Sequence, residues 1–176
     1  MMRLKRVRGF IVFLGVVFLS AGSAGAVDIG GTISSTLTIT EDSQLVDDVT
    51  CTVTNAPCIA IGTSHVKLEL NGFTMTGQAD AQTACNGGPS TFVAKALEDG
   101  IDSRGQTDVA VRGPGLIERF RGPGTFLYKD TDVRVTRLTV STNCFSGILV
   151  GGGSDYEISD SISVRNGNAT SSCGGI

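Results

Sequence analysis

The sequence predicts an all-β fold in which short turns of chain stack as a solenoid, and three observations support this prediction. The 176-residue chain is rich in Val, Ile and Thr, which favour strands over helices. It contains 24 glycines, about twice the usual share of about 7%, so turns should be frequent. A pattern of glycine, aspartate and alternating apolar residues recurs every 23 or 24 residues. The length suits a single domain.

The repeat is clearest in three segments that begin at glycine. In each, an aspartate follows the glycine by eight residues, and two alternating apolar positions come directly after it. A sandwich of hairpins would not require this regularity, whereas a solenoid stacks equal positions about 4.8 Å apart in one environment. The glycines are Gly100, Gly124 and Gly147; the aspartates are Asp108, Asp132 and Asp155; the apolar positions are Val109, Val133 and Tyr156, then Val111, Val135 and Ile158.

The alternation also predicts which side chains form the core. A second apolar alternation follows in two of the repeats. It consists of Leu138 and Val140 in one repeat and of Ile162 and Val164 in the next, and the sequence pattern treats these pairs as equivalent. Each buried aliphatic side chain contributes roughly 1.5–3 kcal/mol before entropy is deducted. We expect these residues to face inward: Ile59, Ile61, Val66, Leu68, Leu70, Val109, Val111, Val133, Val135, Ile148, Val150, Ile158, Ile162 and Val164. We expect these to face outward: Lys67, Glu69, Ala110, Arg112, Arg134 and Thr136.

The N-terminal residues 1–26 have the pattern of a signal peptide. Four basic residues up to Arg8 precede the apolar stretch 11–19, and residues 24–26 read Ala-Gly-Ala, a small-residue cleavage site. The apolar stretch is shorter than the about 20 residues that span a bilayer, so no stable membrane anchor is expected after cleavage. Export predicts a secreted, periplasmic or cell-surface location.

The remaining residues, 27–176, are expected to form the solenoid domain. It would comprise an N-terminal entry strand at 31–51 and about five coils over 52–176, with an insertion loop at 78–99. Such a loop either forms a binding wall or is a decoration packed over a coil, and the sequence leaves both open. Residues 175–176 read Gly-Ile like the opening of another repeat, and no cap follows. We therefore expect an incomplete C-terminal end, which either continues beyond Ile176 or self-associates through its open edge.

The net charge restricts which macromolecules the protein could bind, and the cysteine content indicates which disulfides it could form. Without residues 1–26 the chain keeps ten basic and 17 acidic side chains, a formal charge of −7, which argues against nucleic acid as a partner. Export permits disulfides. Cys51 and Cys58 bracket an Asn-Ala-Pro turn, so a local disulfide between them is predicted. The pairing of Cys85, Cys144 and Cys173 stays open.

Several runs resemble a known family. Residues 36–51 read TLTITEDSQLVDDVTC, residues 59–62 read IAIG, and residues 66–75 read VKLELNGFTM. These runs resemble the secreted right-handed parallel β-helix repeat-containing proteins of bacteria, which share the pectate-lyase-like superfold. The run 66–75 is similar to that family's ITLDLNGHTI coil, with Phe73 where histidine is common. The resemblance covers about residues 31–176 and implies a right-handed parallel β-helix, a fold that hosts many activities.

Asp99 and Asp102 are the catalytic candidates, and both are weak. Residues 98–102 read EDGID, which resembles the NTDGID run of polygalacturonases, where paired carboxylates act as acid and base. No Asp-Asp pair follows one coil later, and the polygalacturonase runs Gly-His-Gly and Arg-Ile-Lys do not occur. An Asp-Gly-Ile-Asp run is also a natural turn entering a strand.

The recurring aspartates Asp108, Asp132 and Asp155 are interpreted as turn residues rather than as a calcium ladder. Calcium takes six to eight oxygen ligands, and one aspartate per coil supplies too few. Aspartate side chains in turns bond nearby backbone N–H groups instead. No metal or other cofactor is therefore expected.

We expect a secreted module with a structural or carbohydrate-binding role at the cell envelope, without evident catalysis. One alternative is a polysaccharide lyase, hydrolase or epimerase whose active site lies partly in coils beyond Ile176. That alternative requires Asp99, Asp102, Asp130 and Arg121 to converge on one face. Another alternative is an adhesin or surface-layer passenger.

Overall fold

The structure of the protein is a computed structural model that describes residues 25–78 and 98–167. The predicted signal peptide, most of the insertion at 78–99 and the Gly-Ile pair at 175–176 lie outside these residues. The described part consists of thirteen strands and contains no helix, which confirms the all-β prediction. The strands are β1 (Val27–Ile33), β2 (Leu37–Ile39), β3 (Ser43–Cys51), β4 (Ile59–Ile61), β5 (Val66–Glu69), β6 (Thr74–Thr76), β7 (Ile101–Arg104), β8 (Thr107–Glu118), β9 (Thr125–Tyr128), β10 (Thr131–Ser141), β11 (Ile148–Gly151), β12 (Ser154–Ser159) and β13 (Ile162–Val164).

The strands form two sheets in which the pairings are parallel. The eight-stranded sheet has the order β1-β3-β5-β8-β10-β12, with β6 beside β3 and β8 and with β13 beside β10. The five-stranded sheet has the order β2-β4-β7-β9-β11. From β2 onward the chain visits the two sheets alternately, and the buried aliphatic side chains of both form one core. This arrangement is compatible with a parallel β-helix. The predicted entry strand at 31–51 contains the end of β1 and all of β2 and β3.

Backbone pairing confirms the main alignment of the repeats. Val133 pairs with Val109 on one side and with Tyr156 on the other, and the next inward position joins Val111, Val135 and Ile158 in the same way. Equal positions therefore stack directly on one another. Ten predicted core residues are buried, namely Ile59, Ile61, Val66, Leu68, Leu70, Val109, Val111, Val133, Val135 and Ile148, and Val150 and Ile158 are partly buried against them.

The predicted inward position of Ile162 and Val164 is wrong. Their side chains are 58% and 43% exposed, because Ile162 pairs with Thr139 rather than with Leu138. The spacing between these repeats is 23 residues, whereas the apolar pattern had indicated 24. A one-residue shift moves every side chain of a strand to the opposite face. Ser163 takes the inward position beside Val140 instead.

Ala110 is a second difference from the predicted pattern. It was expected to face solvent, yet it is buried. Ala110 pairs with Lys67 on one side and with Arg134 on the other. Long charged side chains cover neighbouring apolar surface with their aliphatic stems, so a methyl group between two of them loses contact with water even on the outer face.

The second residue of β8, of β10 and of β12 has a left-handed backbone conformation at equal positions of successive repeats. Asp108, Asp132 and Asp155 have φ angles of 56°, 55° and 58°, as aspartate tolerates better than most residues. This backbone conformation fits turn residues, but the carboxylates contact the side chains of neighbouring residues rather than backbone N–H groups.

Two asparagines 23 residues apart hold a second corner together. The Oδ1 atom of Asn143 accepts a hydrogen bond from the Phe120 backbone N–H at 2.9 Å, and its Nδ2 atom donates to Oδ1 of Asn166 at 3.0 Å and to the Ile117 carbonyl at 3.4 Å. Asn166 in turn donates to the carbonyl of Val140 at 2.9 Å. Asn143 is buried, so its amide satisfies backbone groups that water cannot reach.

Replacing Asn143 with alanine is expected to destabilise the fold by about 2–4 kcal/mol, because the substitution leaves a buried N–H and a buried carbonyl without partners. Urea unfolding followed by circular dichroism measures the effect. Thr136→Ala, on the outer face of β10, is the matched control and should cost less than about 1 kcal/mol. Equal losses in the two variants would show that the Asn143 amide has no special role.

Candidate functional site

Side chains on the outer face of the five-stranded sheet form the candidate site. Residues 101 and 103 of β7 point into the core, so Asp102 and Arg104 point outward. On β9, Phe126 pairs with Asp102 and Tyr128 pairs with Arg104. Parallel register thus places a carboxylate, a guanidinium and two aromatic rings side by side. We call Asp102, Arg104, Phe126, Tyr128 and the following Lys129 the outer-face patch.

Asp102 and Arg104 form a two-pronged ion pair. The Nε atom of Arg104 lies 3.0 Å from Oδ1 and 2.9 Å from Oδ2 of Asp102, and its Nη2 atom lies 2.8 Å from Oδ2. The side chain of Asp102 is 10% exposed and that of Arg104 is 52% exposed. The hydrogen bonds to Asp102 raise the pKa of Arg104 above its ordinary value, against the opposing effect of burial. The two side chains are therefore held in a fixed geometry, with the guanidinium about half exposed to solvent.

Each of the two aromatic rings, Phe126 and Tyr128, has a cationic side chain near its face. The guanidinium carbon of Arg104 lies 5.0 Å from the centroid of the Phe126 ring, and the Nζ atom of Lys129 lies 5.3 Å from the centroid of the Tyr128 ring. The two rings are nearly parallel, with centroids 5.7 Å apart and planes inclined by 22°. Cations are attracted to aromatic faces within about 6 Å. These contacts order four side chains that would otherwise be mobile on an exposed surface.

Asp99 lies next to this patch and is fully buried. Among the described residues, neither of its carboxyl oxygens has a hydrogen-bond partner. Burial raises the pKa of Asp99 well above the usual range, and the neighbouring charge of Asp102 raises it further, while Arg104 opposes these effects. The environment of Asp99 thus favours the protonated form of its carboxyl group.

The surroundings of Asp99 exclude a ligand from its immediate neighbourhood. A Cβ atom at Gly122 would overlap Oδ1 of Asp99, so only glycine fits over the carboxyl group. A cavity of about 10 Å³, lined in part by Asp99, Phe120 and Arg121, lies beside it. This volume matches about one water molecule and is far too small for a sugar ring.

The four residues required by the enzyme interpretation converge only in part. Asp99 and Asp102 lie near each other, since the charge of Asp102 contributes to the raised pKa of Asp99. Asp130 is buried, its Oδ1 atom accepts the Gln106 backbone N–H at 2.7 Å, and burial raises its pKa, with a smaller contribution from the charge of Asp102. Arg121 pairs with Glu98 instead, with Nη1 3.0 Å from Oε2.

The structure joins Cys51 and Cys58 as a disulfide across the predicted turn. Their Cα atoms are 6.0 Å apart, within the range that a disulfide spans. Glu98 accepts the backbone N–H of Asn55 in the same turn at 3.0 Å. The disulfide and this contact tie the turn at 52–57 to the segment that precedes β7. Cys144 is disulfide-bonded as well.

The carboxylate of each recurring aspartate contacts a hydrogen-bond donor on a nearby side chain. Asp108 contacts the Nδ1 atom of His65 at 3.0 Å, and this hydrogen bond lowers the pKa of Asp108. Asp132 contacts Nη2 of Arg134 at 2.7 Å, and Asp155 accepts from the Ser154 hydroxyl at 2.9 Å. In the described part of the chain no group of three or more His, Cys, Asp or Glu side chains is arranged to hold a metal ion.

Sequence reasoning missed Arg104, Phe126, Tyr128 and Lys129. The signal was available in the alternation of β9, where Phe126 and Tyr128 occupy outward positions between inward residues. Aromatic residues at two successive outward positions of a solvent-facing strand are unusual, since large apolar side chains normally point to the core. The partnership with β7 required knowledge of the register between the strands.

Comparisons of the chain with protein-family models, with curated proteins and with solved structures found no match. Within residues 25–78 and 98–167 there is no helix of the length and apolar character needed to span a membrane. The function is therefore argued from the site itself.

Asp99→Asn is expected to reduce the pH dependence of stability, while Asp130, whose pKa burial also raises, keeps its own contribution. The pKa of Asp99 is higher in the folded protein than in the unfolded chain, so between these two values the folded state holds a proton that the unfolded state has lost. Stability is then lost as the pH rises from about 4 toward the folded-state pKa, with a slope of at most about 1.4 kcal/mol per pH unit. The asparagine side chain has nearly the same shape as aspartate but no ionisable group, so it cannot contribute to this slope.

Urea unfolding at a series of pH values measures this slope in the wild type and the variant. Asp160→Asn, at an exposed position, is the matched control and should keep the wild-type slope. A wild-type slope that survives in Asp99→Asn would mean that Asp99 is ionised in the folded protein.

Proposed function

We propose that the protein is an exported right-handed parallel β-helix that binds polysaccharide at the cell envelope through the outer-face patch. The handedness is supported by a general rule, since parallel strands of one sheet are joined by right-handed crossovers in about 98% of cases. The alternation of the chain between two parallel sheets supports stacked coils. Export is supported by the pattern of residues 1–26.

The single observation that carries the binding proposal is the ordered aromatic and polar surface of β7 and β9. Sugars present apolar C–H faces and a rim of hydroxyl groups. Tyr128 combines an apolar ring with a polar hydroxyl and is 38% exposed, and Arg104 offers planar N–H donors beside it. Because both strands belong to a rigid sheet, binding requires little ordering of the protein, which reduces its entropic cost.

Tyr128→Ala is expected to weaken glycan binding at least tenfold, about 1.4 kcal/mol, because aromatic anchors dominate the energy of such surfaces. Retention on a glycan array, followed by calorimetric titration of the glycans retained, measures the loss. Val46→Ala removes an equally exposed apolar side chain from the other sheet and should leave binding unchanged. The absence of glycan binding by the wild type, or equal losses in both variants, would refute the proposal.

Polysaccharide hydrolysis is a second candidate function, favoured by the proximity of two carboxyl groups, Asp102 and Asp99, of which Asp99 has a raised pKa. A protonated and an ionised carboxyl group are the acid and base that glycosidic cleavage needs. The full burial of Asp99 weighs against it, since a general acid must reach the leaving oxygen.

Release of reducing ends from polysaccharides distinguishes the two candidates. If the protein is a hydrolase, Asp99→Asn should reduce release by at least about a hundredfold while glycans stay bound. If the wild type binds glycans and releases no reducing ends, the hydrolase candidate fails and the binding function stands.

A further inference from the structure

We propose that the outer-face patch selects neutral polysaccharides and discriminates against uronic-acid polymers, with Asp102 as the residue that determines this specificity. The inference rests on the proposed binding function and names its ligand class. It follows from how the charges of the patch are paired.

Arg104 is the residue of the patch whose planar guanidinium could bind a sugar carboxylate at two points, and its edge with Nε and Nη2 is already occupied by Asp102. Nε and Nη2 of Arg104 both contact the carboxylate of Asp102, at 2.8–3.0 Å. Two-pronged binding of a carboxylate is the geometry by which arginine would recognise a uronate. Asp102 therefore stands where the sugar carboxylate would bind, and it is held there by burial on one side and by Arg104 on the other.

Displacing Asp102 is unfavourable because, among the described residues, Arg104 is the cation that pairs with its carboxylate. The adjacent carboxyl group, Asp99, offers a proton for one hydrogen bond but no positive charge. An ionised carboxylate that is mostly buried and loses its cation is strongly destabilised. A uronate would thus compete with an internal ion pair whose two members are already in place.

The remaining N–H groups of Arg104 stay available to neutral acceptors. The side chain is about half exposed, and its guanidinium is held against Phe126. In this position it donates to hydroxyl oxygens without attracting anions, since its charge is balanced by Asp102. Lys129 adds one charge at the far end of the patch, while the chain as a whole carries a formal charge of −3 and repels polyanions.

The test compares binding of neutral and uronic-acid oligosaccharides of equal length to the full chain. The wild type should bind neutral glucose-, mannose- or xylose-based oligosaccharides at least tenfold more tightly than oligogalacturonates, with little dependence on salt. Asp102→Asn keeps the side-chain shape, removes the charge and releases Arg104. This variant should gain about tenfold in affinity for oligogalacturonate relative to the neutral ligands, and the gain should disappear at high salt.

Glu69→Gln is the matched control, because it breaks an arginine–carboxylate pair, Glu69 with Arg112, on the other sheet. It should leave the preference unchanged, and thermal unfolding of both variants verifies that they fold. A wild-type preference for oligogalacturonate, or an unchanged preference in folded Asp102→Asn, overturns the inference while the binding function stands. If the wild type binds none of the oligosaccharides, the proposed function itself fails.

Discussion

Parallel pairing of each strand with the equivalent strand of the next repeat is the constraint on which the rest of the molecule depends. Because the pairing is repeated in two sheets, equivalent positions of successive repeats lie side by side. The repeat is 24 residues from Thr107 to Thr131 and 23 from Thr131 to Ser154. The left-handed residues Asp108, Asp132 and Asp155 turn the backbone at one position of each of these repeats.

The same constraint assembles the outer-face patch. Arg104 and Tyr128 are 24 residues apart in the chain, yet they pair across adjacent strands, whose axes are about 4.8 Å apart. Neither residue has a functional signature alone. The site arises because two circuits of chain place their outward residues in one row, and its rigidity is that of the sheet beneath it.

Asn143 and Asp99 are both buried polar side chains, but only Asn143 has hydrogen-bond partners for its polar atoms. Asn143 makes hydrogen bonds with both its oxygen and its nitrogen, so its burial stabilises a corner. Neither carboxyl oxygen of Asp99 has a hydrogen-bond partner among the described residues, and burial raises its pKa. The hydrogen bonds of Asn143 stabilise the repeat, whereas the burial of an ionised Asp99 is unfavourable for folding. Unfavourable buried carboxyl groups cluster at functional sites, which is a reason to look for function near Asp99 rather than near Asn143.

The sequence by itself determined the all-β class, the repeat, most of the core and the recurring aspartates, because each depends on local alternation or on equal spacing along the chain. It also pointed to Asp99 and Asp102. It could not determine that Ile162 and Val164 face outward, since their apolar character suited a spacing of 24 residues and only backbone pairing imposes 23. Nor could it join Asp102 and Arg104 to Phe126 and Tyr128, because that contact depends on the register between strands, which tertiary structure alone decides.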